Sequence, residues 1–279
     1  MNKKYIIAFA VILVAIIAAF IIKNRTTSEK RPLGKGFVFD KSSGIKLNDI
    51  ETYYHHIDFK EKNAGDYFKD KIVNPYTIKF FMFLDDHFKE FENEKDLFEN
   101  VRQYLSSNMP AQMADQLFEL YKKFVHYQLT LEEKTKAWGM PKTTEEAIAF
   151  LHKLQDYRRE YFGKDIADVL FGPNVKAEEY PLRRGAILND KNTYGAEKEK
   201  KLKQLNEDMW GAEAGQVDAY AEPYIKYREK LAMYEKDLSE MDEEAKKAKI
   251  RTIKEAMLTS EQIKKLEKVD RAPEPFRTR

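Results

Sequence analysis

Between Thr143 and Pro173 the apolar residues return once per helical turn, and the same interval governs most of the chain. Phe150, Leu154, Tyr157 and Tyr161 follow one another at steps of four, three and four, which stacks them on one face of an α-helix. Thr143 with Glu146 makes a capping box at the start, and Gly163 supplies a stop. A shorter helix follows with Ile166, Val169 and Leu170 inward, closed by Gly172-Pro173. Upstream, Pro75 opens a phenylalanine-dense helix that includes Phe80, Phe81 and Phe83. Leu97, Val101 and Leu105 make a second helix, and Leu117, Tyr121 and Phe124 a third. Thr130 and Glu133 form another capping box and predict a fresh helix that ends near Gly139. Pro181, Gly185 and Gly195 predict a loop-rich stretch over residues 172–195. Beyond Ala196 the chain is charged and helical, with one apolar stripe at Leu202, Leu205 and Trp210 and another at Tyr220, Tyr224, Tyr227 and Tyr234. Thr259 with Gln262 caps a last helix.

Eleven glycines in 279 residues are too few for a fold built on tight turns, and 34% charged residues suits long solvated helices. The expected fold class is all-α: an N-terminal transmembrane helix, then two small helical bundles joined by an extended helical region. The expected division is an anchor over 1–23, a tether and irregular segment over 24–63, and a first mini-domain, a three-helix bundle, over 64–140. An extended helical region over 141–218 and a second mini-domain over 219–279 complete it.

Residues 5–22 are eighteen apolar or aromatic positions without a charge. As a helix they would span about 27 Å, close to the hydrocarbon thickness of a bilayer. A cleaved signal peptide would have a shorter apolar core and a small-residue cleavage site, whereas this run passes directly into Ile21-Ile22-Lys23-Asn24-Arg25. An uncleaved single-pass anchor is therefore expected. Lys3, Lys4, Lys23 and Arg25 flank it, and without residues 1–25 the chain keeps 45 basic against 47 acidic residues. A body with a net charge of −2 has no electrostatic footprint for nucleic acid.

The chain contains no cysteine, so disulfides, thiolate nucleophiles and cysteine-ligated metals are excluded. None of the five histidines stands in an H-E-x-x-H motif, no serine occupies a G-x-S-x-G elbow, and neither type of glycine-rich nucleotide loop is present. No catalytic residue, cofactor, nucleotide or metal site is assigned. The tyrosines carry a different message. Tyr220, Tyr224, Tyr227 and Tyr234 lie on an otherwise polar stretch, and tyrosine suits surfaces that are wet when free and buried when a partner docks. A tyrosine-rich but ordinary core face would give the same pattern.

The segment R-R-E-Y-F-G-K-D-I-A-D-V-L-F-G, residues 158–172, resembles the bacterial lipase chaperones, the lipase-specific steric foldases, where their first domain joins an extended helical one. Tyr104-Leu105 through Met109-Pro110 and Leu117 to Leu129 are similar to another segment of that family. So is Leu258-Thr259-Ser260-Glu261 with Ile263, Leu266 and Asp270-Arg271. The family's first-helix activity motif, R-x-x-F-D-Y-x-L-S-A-x-G-E, is not kept over Thr77–Glu90; Phe80 and Leu84 match its phenylalanine and leucine. The resemblance implies a divergent, membrane-anchored periplasmic chaperone that clasps one secreted lipase, without ATP. The partner-binding candidates on this reading are Phe80, Phe83, Leu84, Tyr157, Tyr161, Phe162, Tyr220, Tyr224 and Tyr227. The alternative is an anchored envelope scaffold that binds another protein through the same helices.

Removal of residues 1–25 is expected to leave a chain that stays in solution without detergent and keeps its helical circular dichroism. Loss of that signal would show that the anchor supports the fold.

Overall fold

The computed structural model describes residues 44–59, 63–91, 93–217 and 222–270. The expected anchor, most of the tether, Tyr220 and the tail after Asp270 lie outside these residues. The described chain is helical throughout, with no strand among the described residues. Among them no helix is long and apolar enough to cross a membrane. The chain divides into two compact units, whose described parts run to Leu182 and from Arg183.

The first unit opens with α1 (Leu47–Tyr54), followed by a 3-10 turn over Ala64–Phe68. Then come α2 (Thr77–His87), α3 (Glu94–Asn108), α4 (Ala111–Trp138), α5 (Thr144–Phe162) and α6 (Lys164–Leu188), the last of which continues into the second unit. Asn93 caps α3 by accepting from the Asp96 amide at 2.8 Å. Phe98 faces Phe118 while His126 reaches Glu94 at 3.1 Å, so α3 and α4 run antiparallel. Phe80, Phe81 and Leu84 of α2, Leu97, Val101 and Leu105 of α3, and Leu117, Tyr121 and Phe124 of α4 form one buried core. That core also takes in Phe162, Ala167, Leu170 and Phe171 from the α5–α6 joint.

Two sequence expectations fail here, for physical reasons. Thr130 does not start a helix, because α4 runs unbroken from Ala111 to Trp138. Its hydroxyl turns back and donates to the carbonyls of His126 at 3.2 Å and Tyr127 at 3.0 Å, a partner that any mid-helix threonine has available. Residues 172–195 are not loop-rich either. α6 continues to Leu188 with Pro173 and Pro181 inside it, where each ring removes a backbone donor and strains the preceding turn. What sustains the helix is burial on one face: Phe171, Val175, Lys176, Glu179 and Leu182 are all buried. Val175 and Leu182 pack on Ala147, Ile148 and Leu151 of α5. The two helices thus form an antiparallel hairpin about Gly163, whose φ of 87° is open to glycine and strained for other residues.

The second unit holds the end of α6, then α7 (Gly195–Trp210), a 3-10 turn over Gly211–Gln216, α8 (Pro223–Met233), α9 (Glu235–Glu240), α10 (Glu243–Met257) and α11 (Ser260–Asp270). Arg184 grips Glu229 of α8 through two bonds of 2.7 and 2.9 Å. Tyr227, Ile253 and Leu258 make the small core, flanked by Tyr224, Leu231 and Tyr234. The Tyr234 ring lies against Gly195, where a β-carbon would collide with it, and the Gly195 amide donates to Asp237 at 2.7 Å. Thr259 and Gln262 exchange bonds of 2.9 and 3.3 Å in the expected capping box of α11.

Pro181 is exposed, so its ring contributes strain to α6 with little packing in return. Pro181→Ala is expected to stabilise the chain by about 2 kcal/mol, read as a higher urea midpoint together with increased helical circular dichroism. An unchanged or lower midpoint would mean that the helix does not depend on continuity at this point.

Candidate functional site

The α4–α5 seam brings together three of the candidate residues, Tyr157, Tyr161 and Phe162. Tyr127 of α4 is buried, and Tyr157, Tyr161, Phe162 and Phe171 surround it with ring centroids 5.1 to 5.9 Å away. Its hydroxyl has entered a low-dielectric interior and needs a partner. Arg158 provides one, its Nε donating at 2.9 Å. The same guanidinium lies 4.3 Å from the centroid of Phe171, a stacked arrangement that arginine adopts more readily than lysine. Burial raises the Tyr127 phenol, with Arg158 pulling it part of the way back.

A polar layer extends from this point between α5 and α6. Arg159 binds Asp168 bidentately at 2.7 and 3.1 Å across the Gly163 joint, and Gln155 donates to the same carboxylate at 2.9 Å. His152 stands 2.8 Å from Glu179, both buried. Lys176, 2% exposed, donates to the Ile45 carbonyl at 2.6 Å, and Asn174 joins Tyr54 to Glu178. Burial pushes the Tyr53 phenol up to about 12, opposed by the Arg158 guanidinium. Burial also holds the Glu178 carboxyl above the usual carboxylate range, against the pull of Asn174 and Arg158. Within this layer His152–Glu179, Gln155–Asp168 and Arg159–Asp168 join α5 to α6 and fix the register of the hairpin, because these partners meet at only one alignment.

Outside the layer the seam is half-open. Tyr157 and Tyr161 are partly exposed, their centroids 6.1 Å apart, and the Tyr157 hydroxyl bonds the Thr130 oxygen at 2.8 Å. Trp138 continues the row, 5.9 Å from Tyr157 and 5.8 Å from Phe150. Lysine ammonium groups lie over these rings: Lys153 over Trp138 at 4.8 Å, Lys134 over Tyr157 at 5.8 Å and Lys123 over Tyr161 at 5.8 Å. Sequence reasoning missed Trp138 and the three lysines. Trp138 sits at a helix end outside any stripe, and a lysine above a ring has no distinguishing neighbour in sequence.

The remaining candidates are placed differently. Phe80 and Leu84 are fully buried and serve the core of the first unit. Phe83 is partly buried, stacked on Phe80 at 5.9 Å and on His87 at 5.5 Å. Phe162 is buried around Tyr127. In the second unit Tyr227 is buried in the small core, and Tyr224 sits beside it with its hydroxyl donating to the Gln262 carbonyl at 2.9 Å. These two tyrosines hold α8 to α10 and α11. Tyr220 lies outside the described residues. Among the described residues no three His, Asp or Glu side chains are grouped closely enough to hold a metal ion.

Fold and seam together define an all-helical protein with a half-open aromatic face flanked by lysines. The profile of the proteobacterial lipase chaperone protein family matches residues 120–279, more than half of the sequence, and the chain belongs to that family. The match begins within α4, so α2, with Phe80 and Leu84, lies before it. Comparison with curated proteins gave no match, and comparison with solved structures gave none either.

Glu178 supplies a pH test of the buried layer. Its raised pKa means that the folded chain holds the proton more tightly than the unfolded chain, so ionisation costs stability as pH rises through the raised value. Glu178→Gln is therefore expected to be more stable than the parent near pH 7, with the gap closing as pH falls below about 4. Urea midpoints at the two pH values check this, and a gap independent of pH would contradict it.

Proposed function

We propose that this chain is a steric chaperone for a secreted lipase. It binds the client through its helical body and lowers the barrier to the client's native state without ATP. The observation that carries the reading is the family match over residues 120–279, which spans the α5–α6 hairpin and all the described residues of the second unit. The sequence supports the rest of the picture. Residues 5–22 have the length and apolarity of a membrane span, and we place the body on the periplasmic side of an inner membrane, where a lipase folds after export. Two small helical bundles with an extended helical region between them supply the surfaces that clasp the client. A steric chaperone acts by preferential binding: contacts stronger in the folding transition state than in the unfolded chain raise the rate, in the same way that an enzyme favours its transition state. Such contacts require surface area and fixed geometry rather than a reactive group, and the chain carries no nucleotide-binding motif.

The test uses a secreted lipase of the organism that makes this chain, unfolded in urea and diluted with or without the full chain in detergent. Lipase activity is expected only in the presence of the chain, at about one chain per lipase. Equal activity without it would overturn the reading.

A further inference from the structure

The lysines of the half-open seam sit where a partner would have to approach. Lys123, Lys134 and Lys153 are exposed, and among the described residues none of them has a carboxylate partner. Most other lysines that contact rings or neighbours in the first unit do have one; Lys122, over Phe118, pairs with Glu119 at 2.8 Å. The seam thus presents rings whose outer faces are covered by uncompensated positive charge. At its Tyr161 end it opens into a groove of about 920 Å³ with an apolar floor that includes Ile72, Val73, Leu120 and Ile166. Lys71 also lines the groove, again without a carboxylate partner among the described residues. The two acids of the rim are occupied: Glu119 by Lys122, and Asp115 by Arg102 at 3.7 Å.

The spacing of the rings selects a shape. From Trp138 to Tyr157 to Tyr161 the centroids advance by 5.9 and 6.1 Å. Side chains on one face of an extended polypeptide recur at about 6.6 Å, twice the rise per residue of a strand. A bound extended segment can therefore rest alternate apolar side chains on successive rings. Carboxylates on the same segment would meet the lysine ammonium groups, which would exchange ring faces for full charge partners. A polyphosphate chain fits less well, because the sequence outside residues 1–25 carries a net charge of −2 and repels it at long range.

We propose that the α4–α5 seam and the groove at its end form a docking track for an extended polypeptide segment that alternates apolar and acidic residues. Resting on the lipase reading above, we assign that segment to the client. No residue of α2 lines the groove or belongs to the ring row.

The direct test measures binding of a fluorescein-labelled dodecapeptide of alternating leucine and glutamate to the full chain in detergent, beside its leucine–lysine counterpart and a labelled dT12. The acidic peptide is expected to bind about tenfold more tightly than the basic one, and Lys134→Glu with Lys153→Glu to weaken it about tenfold, with circular dichroism unchanged. The same charge change made elsewhere, Lys95→Glu with Lys200→Glu, is expected to leave binding within about twofold. Equal binding of the two peptides, insensitivity to the seam double variant, or tighter binding of dT12 would each overturn the track. The lipase refolding assay, run on the seam variant, tests the client assignment. Reduced recovery with the seam variant and full recovery with the Lys95/Lys200 variant support it, whereas equal recovery with both overturns it. If the parent recovers no lipase while acidic-peptide binding stays lysine-dependent, the lipase reading falls and the track's chemistry stands.

Discussion

Tyr127 imposes the condition on which the first unit depends. A large ring brings considerable apolar area to the interior, but its hydroxyl cannot be left there without a partner. Arg158 meets the hydroxyl with Nε and covers Phe171 with its guanidinium plane, so one side chain answers both the polar and the aromatic demand. That answer works only if α5 lies along α4 at one register and α6 folds back against α5. Arg159 and Asp168 hold the fold-back at the joint, while Ile148, Leu151, Val175 and Leu182 hold it further along. Removal of Arg158 would leave a buried hydroxyl and an uncovered ring at the meeting point of three helices.

The α5–α6 hairpin also explains how two prolines survive inside one helix. A helix in water would end at Pro173, because the lost donor and the ring clash have no compensation there. Here the residues that flank the prolines are buried, and the polar ones among them, Lys176 and Glu179, have specific partners. Tertiary packing sets the helix length, and local propensity is overruled.

Readings that rest on local rules held where the neighbouring residues pointed the same way, as Gly139 and Pro141 do ahead of Thr143. Thr143, Gly163 and the Thr259–Gln262 pair mark helix ends in the sequence and in the structure, since a cap is satisfied by residues three or four positions away. The apolar stripes through Phe80, Leu97 and Leu117 were legible because periodicity and burial coincide. Thr130 was misread because Thr-x-x-Glu has two outcomes, and only the continuing helix decides which occurs. The polar layer was illegible for a deeper reason. His152, Gln155 and Arg158 recur at every third position, a pattern that would ordinarily indicate a solvated face, and their partners Glu179, Asp168 and Tyr127 come from other helices. Of the aromatic face, Tyr157 and Tyr161 could be seen as a stripe, but not that Trp138 extends the row or that lysines lie across it.

The short helix α1 is joined to its unit by ammonium groups that grip its main chain as well as by its two tyrosines. Lys176 donates to the carbonyl of Ile45 just before the helix, and Lys79 donates to the carbonyls of Thr52 and His55 at its far end. The second contact places a cation against the negative end of the helix, where it belongs electrostatically. Mechanically, these are two rivets through the main chain. Tension applied to the polypeptide ahead of Gly44 would reach α6 through a backbone carbonyl at Ile45, independent of which side chains the strap carries. Sequence drift at the exposed positions of α1 would then leave these two main-chain fastenings in place so long as Lys79 and Lys176 remain.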